Sequence, residues 1–184
     1  MNTATDSAQH KRPARITPQS LRERAISLHK QGKVAEALAG YQAYLSARPG
    51  DADIWTNLGA AYRQLKHYQL AISSYHRALQ LKPHDAGILS NLGNALKDAD
   101  RLEETIECHR RAVNALPDNA QFRFNLAVSL RDDNRNELAI TELDTLLVTQ
   151  PDNPHYQWDK ALNLLALNRY QEAWPYYEAR WRTG

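Results

Sequence analysis

Three asparagines recur at a fixed spacing and could act together on one ligand. Asn57, Asn91 and Asn125 follow one another at equal intervals along the chain. A primary amide offers an acceptor oxygen and two donor hydrogens, so it can bond both the C=O and the N–H groups of an extended polypeptide. Such bonds address the peptide backbone and do not depend on the peptide's side chains. The spacing therefore predicts a row of backbone-binding groups.

Three basic residues repeat with the same interval, each six residues after one of the asparagines. Arg63, Lys97 and Arg131 could bind an acidic peptide through charge-assisted hydrogen bonds. Asp98 and Asp132 directly follow two of them and would neutralise much of the local positive field. We therefore favour ordinary solvated charge for this row, with an acidic peptide ligand as the alternative.

The chain lacks the sequence patterns of a catalytic or metal-binding site. It has no glycine-rich phosphate loop, no His-Glu-x-x-His and no Cys-x-x-Cys. Cys108 and His109 are adjacent, and on a helix their side chains diverge by about 100°, which does not suit a nucleophile–base pair. We interpret Cys108 as structural, and His76 and His109 as core or boundary residues. We expect no enzymatic activity, no cofactor and no bound metal in this chain.

The elements that position these residues follow from an internal repeat whose period is the spacing of the asparagines. The landmarks that recur are a proline and, two residues later, a small polar residue: Pro49, Pro83, Pro117, Pro151, with Asp51, Asp85, Asn119 and Asn153. Such a period indicates stacked helical units, each packed on its neighbours. The repeats are 18–51, 52–85, 86–119, 120–153 and a divergent fifth, 154–184. Repeat positions are numbered from 1 at the start of each unit.

Residues 52–85 show the pattern of two helices most clearly. One apolar face of the first helix has the spacing i, i+3, i+4, i+7 and comprises Trp55, Leu58, Gly59 and Tyr62. A glycine inside a helix costs about 1 kcal/mol relative to alanine. We therefore expect Gly59 to allow close approach of the second helix, where Ala71 and Ala78 are also small. Pro83 ends that helix, and Asp85 is placed to cap the next one.

The pattern Trp-x2-Leu-Gly-x2-Tyr, then Ala71-x3-Tyr75 and Pro83, is similar to the tetratricopeptide repeat signature. The chain is identified as a member of that superfamily over roughly residues 18–184. The resemblance implies an all-α, right-handed superhelical solenoid of helix-turn-helix repeats. It also implies that the side of each first helix opposite the apolar face lines a concave groove, where peptide partners usually lie. A helical wheel places Asn57 and its equivalents on that opposite side.

The row of asparagines resembles the asparagine ladder in the superhelix of the O-GlcNAc transferase family. Glu23 and Asp159 occupy the same repeat position in the first and last repeats and do not match, so we expect the row to end there. The alternative is that the asparagines bond neighbouring helices and keep the groove soluble. We favour peptide binding, because exposed, repeated polar residues lack a core-packing reason.

The two ends of the chain differ in character. Residues 1–17 are polar and carry a small basic cluster, so we expect a disordered tail. The first repeat, with Arg24 at the position that is leucine in the next three repeats, is typical of a polar cap. In the last repeat we place the start of the second helix near Gln171 and expect an irregularity at Pro175.

Aromatic residues are concentrated in the last repeat and define a terminal aromatic patch: Trp158, Trp174, Tyr177 and Trp181. If exposed, this patch marks an interaction surface for a partner, for a second copy or for a following domain. It also resembles the closing repeat of bacterial proteins in which a tetratricopeptide array precedes a glycosyltransferase-like domain. We favour a longer parent protein. An alternative function of the array is then to present protein substrates to a catalytic region of that parent. Self-association through the patch is a further alternative.

Composition narrows the classes of partner. The chain has 184 residues, 42% of them hydrophobic and 24% charged, with a net charge of +2. Without a basic excess we do not expect nucleic acid as a partner. No apolar run approaches the roughly 18 residues of a membrane helix, and a single cysteine cannot form an internal disulfide. We expect a cytoplasmic protein-interaction scaffold whose partner is a protein or peptide.

Overall fold

The computed structural model describes residues 17–182, which form ten α-helices and a final 3₁₀ segment. The helices are α1 (Pro18–Lys30), α2 (Val34–Ala47), α3 (Ala52–Gln64), α4 (Tyr68–Leu81), α5 (Ala86–Asp98), α6 (Leu102–Ala115), α7 (Ala120–Asp132), α8 (Asn136–Thr149), α9 (Pro154–Ala166) and α10 (Tyr170–Tyr177), and the 3₁₀ segment is Glu178–Arg182. The odd-numbered helices are the first helices of the repeats and the even-numbered helices are the second. The predicted all-α architecture is confirmed.

The helices stack in chain order as a solenoid. Each first helix packs on the second helix of its own repeat and on the second helix before it. Each first helix also contacts the first helix of the next repeat, as α3 does with α5. Between residues 17 and 182, consecutive second helices make no such contact. The first helices therefore lie on the inner side of the bend, and we call the surface they form there the groove.

The helix starts repeat because their capping residues repeat. The side chains of Asp51, Asp85 and Asn119 each accept a hydrogen bond from the backbone N–H three residues later. A cap of this kind contributes about 1 kcal/mol. Asn153 caps α9 in the same way, and Thr17 caps α1 through a reciprocal capping box. The predicted cap at Asp85 is confirmed. The rest of the predicted tail, residues 1–16, lies outside the described residues.

The turn after each first helix contains a residue with left-handed backbone at the same repeat position. These residues are Gly32, Lys66, Asp100, Asn134 and Asn168, with φ between 58° and 77°. Glycine adopts this conformation readily, and asparagine and aspartate tolerate it, whereas lysine has no such preference for a left-handed backbone. Only Gly32 stands out in the sequence as a break in the helical pattern.

In two of the repeats, a glycine on the first helix receives a large ring from the second helix. A Cβ atom added to Gly59 would lie 2.8 Å from the ring of Tyr75, and one added to Gly93 would lie 2.5 Å from the ring of His109. The expected close approach to α4 is confirmed. The group that fills the space is the Tyr75 ring, however, rather than the small residues Ala71 and Ala78.

The last repeat departs from the others, as Pro175 predicts. Helix α10 starts at Tyr170, one residue before the expected start, and contains 8 residues where the other second helices contain 14. Pro175 lies inside it and cannot donate a hydrogen bond to the carbonyl group of Gln171. In α9, Tyr156 is buried, as are Ile54 and Ile88 at the same repeat position, and Trp158 is half-buried.

No helix in the described part of the chain is both long enough and apolar enough to cross a membrane.

Candidate peptide-binding groove

The three asparagines lie on successive first helices at the inner side of the solenoid. Asn57 is on α3, Asn91 on α5 and Asn125 on α7, and each is half-buried. Within residues 17–182, the side chains of Asn57 and Asn91 make no hydrogen bond to the protein. Both amides therefore have free donors and a free acceptor at a partly water-shielded surface, where a hydrogen bond to a ligand replaces weakly held water.

Asn125 differs from the other two because its amide is already engaged. Its Nδ2 atom donates to the Ser90 hydroxyl of α5 at 3.1 Å, and its Oδ1 atom accepts from Gln121 at 2.9 Å. The residue that corresponds to Ser90 one repeat earlier is Thr56, and its hydroxyl donates to the Ala52 carbonyl group within α3. The interpretation of these asparagines as bonds between neighbouring helices therefore describes Asn125, whereas Asn57 and Asn91 remain open.

The basic row is held in ion pairs that join one repeat to the next. Arg63 Nε lies 2.6 Å from Asp98 Oδ2, and Lys97 Nζ lies 2.5 Å from Asp132 Oδ2. Each pair connects repeat position 12 to position 13 of the following first helix. At the same two positions in the first and second repeats, His29 and Gln64 form a hydrogen bond instead of an ion pair, with 3.3 Å between Nε2 and Oε1. We call this series the inter-repeat ladder.

The inter-repeat ladder ends in the last repeat. Arg131 pairs with Asp159 on α9, and also lies 3.2 Å from Asp132. Asp159 is the last repeat's counterpart of the three asparagines and is 9% exposed. The next residue in the basic row is Leu165, which carries no charge. At this end of the groove, the repeat position of the asparagines is therefore held by a carboxylate in a partly buried ion pair.

Two titratable side chains lie directly beneath the groove. Burial raises the pKa of Tyr75 to about 12, with Arg63 acting in the opposite direction. Burial lowers the pKa of His109 to about 4. The Ser129 hydroxyl donates to the Asn125 carbonyl group, so it accepts from His109 Nδ1–H at 2.8 Å. His109 Nε2 is buried without a partner, and the ring is therefore neutral.

The remaining candidate residues lie on the second helices. Cys108 is buried, and burial raises the pKa of its thiol to about 11, so it is not a thiolate nucleophile at neutral pH. His109 is a core residue, as expected. His76 is exposed on α4, so its assignment to the core or its boundary was wrong.

The terminal aromatic patch is formed, and part of it is exposed. The ring centroid of Tyr177 lies 5.4 Å from that of Trp158 and 5.2 Å from that of Trp174. The guanidinium of Arg180 stacks 4.0 Å from the Tyr177 ring centroid and 4.6 Å from that of Trp181. Trp174 is 56% exposed and Trp181 is 74% exposed.

Several groove residues that the sequence did not single out now have roles. Ser90 is the partner of Asn125, and Ser129 is the partner of His109. Residues that contact each other across neighbouring first helices are separated in sequence by one residue more than the repeat period. This separation joins Ser90 to Asn125, Arg63 to Asp98 and Lys97 to Asp132. A search of the sequence at the repeat period itself finds equivalent positions but not these contacts between neighbours.

Family models describe most of the folded chain. One model of the tetratricopeptide repeat matches residues 52–85, and a second matches residues 90–154 and 128–182. At the level of sequence alone, no curated protein matches the chain significantly.

Solved structures resemble the chain in fold. The MamA protein superposes with a TM-score of 0.82 at 18% identity, covering 88% of both chains. MamA from Desulfovibrio magneticus RS-1 gives a TM-score of 0.82 at 17% identity, with 88% of this chain and 91% of that one covered. YrrB, described as a TPR protein with an unusual peptide-binding site, gives 0.78 at 16% identity, with 89% and 84% covered.

These matches agree with the repeated helix pairs, the glycine-to-ring contacts and the repeated caps. A solenoid of this kind presents an extended concave surface for other proteins, which is the architecture of a protein-interaction scaffold. The chain belongs to the tetratricopeptide repeat family.

Proposed function

We propose that the chain binds an extended polypeptide along the groove, with Asn57 and Asn91 bonding the backbone of the ligand. The observation that carries this proposal is the pair of half-buried amides with no partner in the described part of the protein, at equivalent positions of adjacent repeats. Packed helices lie about 10 Å apart, and an extended peptide rises roughly 3.3 Å per residue. One amide would therefore meet the peptide backbone about every three residues.

The inter-repeat ladder favours a neutral mode of recognition over an acidic ligand. An acidic peptide would have to compete with Asp98 and Asp132 for Arg63 and Lys97, which already make short ion pairs. Each basic group would exchange one carboxylate for another, so the net gain would be small. We assign the basic row to the rigidity of the groove and Asn57 and Asn91 to the ligand.

Asn125 contributes to the groove in a different way. Its bond to Ser90 joins α7 to α5, and its bond to Gln121 holds the amide in place within α7. A peptide could still reach the second lone pair of its Oδ1 atom, but both the NH₂ group and the oxygen of this amide are already bonded. The predicted row of three equivalent backbone-binding groups therefore becomes two open sites and one that is held within the protein. YrrB, which shares the fold, has a peptide-binding site, and this is in line with a peptide ligand here.

The proposal is tested with peptides selected by the protein itself. Random 12-residue peptides displayed on phage are selected on the wild-type chain, and the tightest is labelled with fluorescein for anisotropy titration. We expect Asn57→Ala/Asn91→Ala to weaken binding by ten-fold or more with no change in helicity. The matched control is Asn114→Ala, which removes an exposed amide from the outer helix α6. Failure to select any binder, or equal binding by the double variant, contradicts the proposal.

Presentation of protein substrates to a catalytic region elsewhere in a parent protein would use the same groove. That role stays a prediction from the resemblance of the last repeat.

A further inference from the structure

Trp174 occupies a repeat position that is half-buried at Leu38 in the first repeat and buried in the next three. The equivalent residues Ile72, Ile106 and Ile140 are 4%, 2% and 6% exposed, whereas Trp174 is 56% exposed. Ile106 packs with Leu126 and Leu130 of α7, and Ile140 packs with Leu164 of α9. At this position, therefore, each internal second helix meets the first helix of the next repeat.

Trp181, about two turns after Trp174 and within the 3₁₀ segment, repeats the observation. Leu45, Leu79 and Val113 hold the same repeat position and are all buried, and Leu147 is half-buried. Leu45 packs with Ile54 and Leu58 of α3. Trp181 is 74% exposed. Trp174 and Trp181 are thus the two side chains that the repeat pattern assigns to a following first helix.

A charged group at the same face also has a counterpart inside the solenoid. Asp144 on α8 accepts an ion pair from Lys160 on α9, with 2.6 Å between Oδ1 and Nζ. Glu178 holds the position of Asp144 in the last repeat, and its Oε2 atom accepts a hydrogen bond from the Trp181 indole at 3.1 Å. The face is therefore apolar around Trp174 and Trp181, carries a carboxylate at Glu178, and includes the Arg180 guanidinium stacked on the Trp181 ring.

We infer that this face docks an amphipathic α-helix of a partner protein, in the manner in which α9 docks on α8. The helix would bring apolar residues at i, i+3, i+4 and i+7 to Trp174 and Trp181, and a lysine or arginine to Glu178. This face continues the series of interfaces between repeats, because in the preceding repeats the same positions place apolar side chains against the next first helix. This binding surface lies at the end of the solenoid and is independent of the groove.

The probe is a peptide of residues 153–167, which contains α9 with its Lys160, acetylated, amidated and labelled with fluorescein. It is titrated with the full chain, and anisotropy is recorded at peptide concentrations far below that of the protein. We expect saturable binding that Trp174→Glu weakens by ten-fold or more. The peptide variant Lys160→Glu should bind several-fold more weakly, because it places a carboxylate against Glu178.

The control is Leu70→Glu, a substitution at a leucine that is 50% exposed on α4, well separated from the last repeat. It should leave binding unchanged. Absence of saturable binding to the wild-type chain overturns the inference, and so does binding that is insensitive to Trp174→Glu. Sedimentation analysis tests whether a second copy of the chain binds this face instead. A dimer of the unliganded chain that dissociates on Trp174→Glu would show that a second copy takes this face, and it too would overturn the inference.

Discussion

Asn125 on α7 donates a hydrogen bond to Ser90 on α5, 3.1 Å away and 35 residues earlier in the chain. This contact distinguishes Asn125 from Asn57 and Asn91, although all three asparagines have the same repeat position. Asn125 joins two repeats, whereas Asn57 and Asn91 make no bond within the described residues. At the same separation, Asn91 corresponds to Thr56, whose hydroxyl donates within its own helix, and Asn57 corresponds to Arg22, which pairs with Asp51. Stability and binding should therefore depend on different asparagines.

Asn125→Ala should lower the free energy of unfolding by about 1 kcal/mol, because it removes a partly buried hydrogen bond and leaves the Ser90 hydroxyl without this partner. Asn57→Ala and Asn91→Ala should each change it by less than about 0.5 kcal/mol. Urea unfolding followed by circular dichroism measures all three. Equal losses for the three variants would show that the asparagines are structurally equivalent after all.

The inter-repeat ladder should strengthen toward the last repeat. Arg63 and Asp98 have side chains 39% and 32% exposed, so a double-mutant cycle should give a coupling energy of about 0.5 kcal/mol. Asp159, the partner of Arg131, is only 12% exposed in its side chain. The Arg131–Asp159 cycle should give a coupling energy at least about 1 kcal/mol larger, since less solvent screens that pair. Comparable coupling energies in both cycles would contradict the prediction that the ion pairs become stronger toward the last repeat.

Gly59→Ala should destabilise the chain by about 1–3 kcal/mol, although alanine favours the helix. The added methyl would lie 2.8 Å from the Tyr75 ring, which is 1% exposed and has no space to retreat. Gly50→Ala is the matched control, because nothing lies within 4 Å of the Cβ atom it would add. In thermal unfolding, this control should stay within about 0.5 kcal/mol of the wild type, as surface substitutions usually do. A neutral Gly59→Ala would show that α3 and α4 can separate at no cost.

His109 should make the fold less stable as the pH falls. Its pKa is about 4 in the folded chain, against an ordinary value of 6.5. Between these two values the unfolded chain binds the proton that the folded chain refuses, so unfolding becomes easier with decreasing pH. The full loss from pH 7 to pH 4 is roughly 3 kcal/mol.

The comparison is a double variant, His109→Tyr/Ser129→Ala, which reproduces the pairing of Tyr75 with Ala95 found in the preceding repeat. Urea titrations at pH 7, 6, 5 and 4 should show a shallower decline in stability for this variant than for the wild type. Parallel pH profiles would mean that His109 does not set the acid sensitivity.

The repeat period predicts the architecture well, because the residues that build each unit lie close together in sequence. Trp55, Leu58, Gly59 and Tyr62 lie on one helix and pack against the helices before and after it, so local periodicity suffices. The caps follow from Asp51 and its equivalents for the same reason. Pro175 also acts locally, by removing a backbone donor, and an irregular α10 follows from it.

The state of each groove residue could not be predicted in this way, because it depends on a side chain in another repeat. The period places Asn57, Asn91 and Asn125 on one face, but it does not show that only Asn125 bonds its counterpart in the preceding repeat, Ser90. His76 was wrongly assigned to the core or its boundary, since apolar periodicity does not resolve which turn of α4 meets a neighbour. The exposure of Trp174 likewise follows from what packs against it, and the sequence of α10 alone does not contain that information.

The most direct test asks whether Asn91 bonds the ligand's backbone. A peptide selected on the wild-type chain is N-methylated at one residue at a time, and calorimetry gives the dissociation constant of each peptide for the wild type and for Asn91→Ala. The account predicts one position at which N-methylation weakens binding to the wild type by about ten-fold but has little further effect on Asn91→Ala. Additive losses at every position would show that Asn91 does not bond the peptide backbone, and would contradict the account.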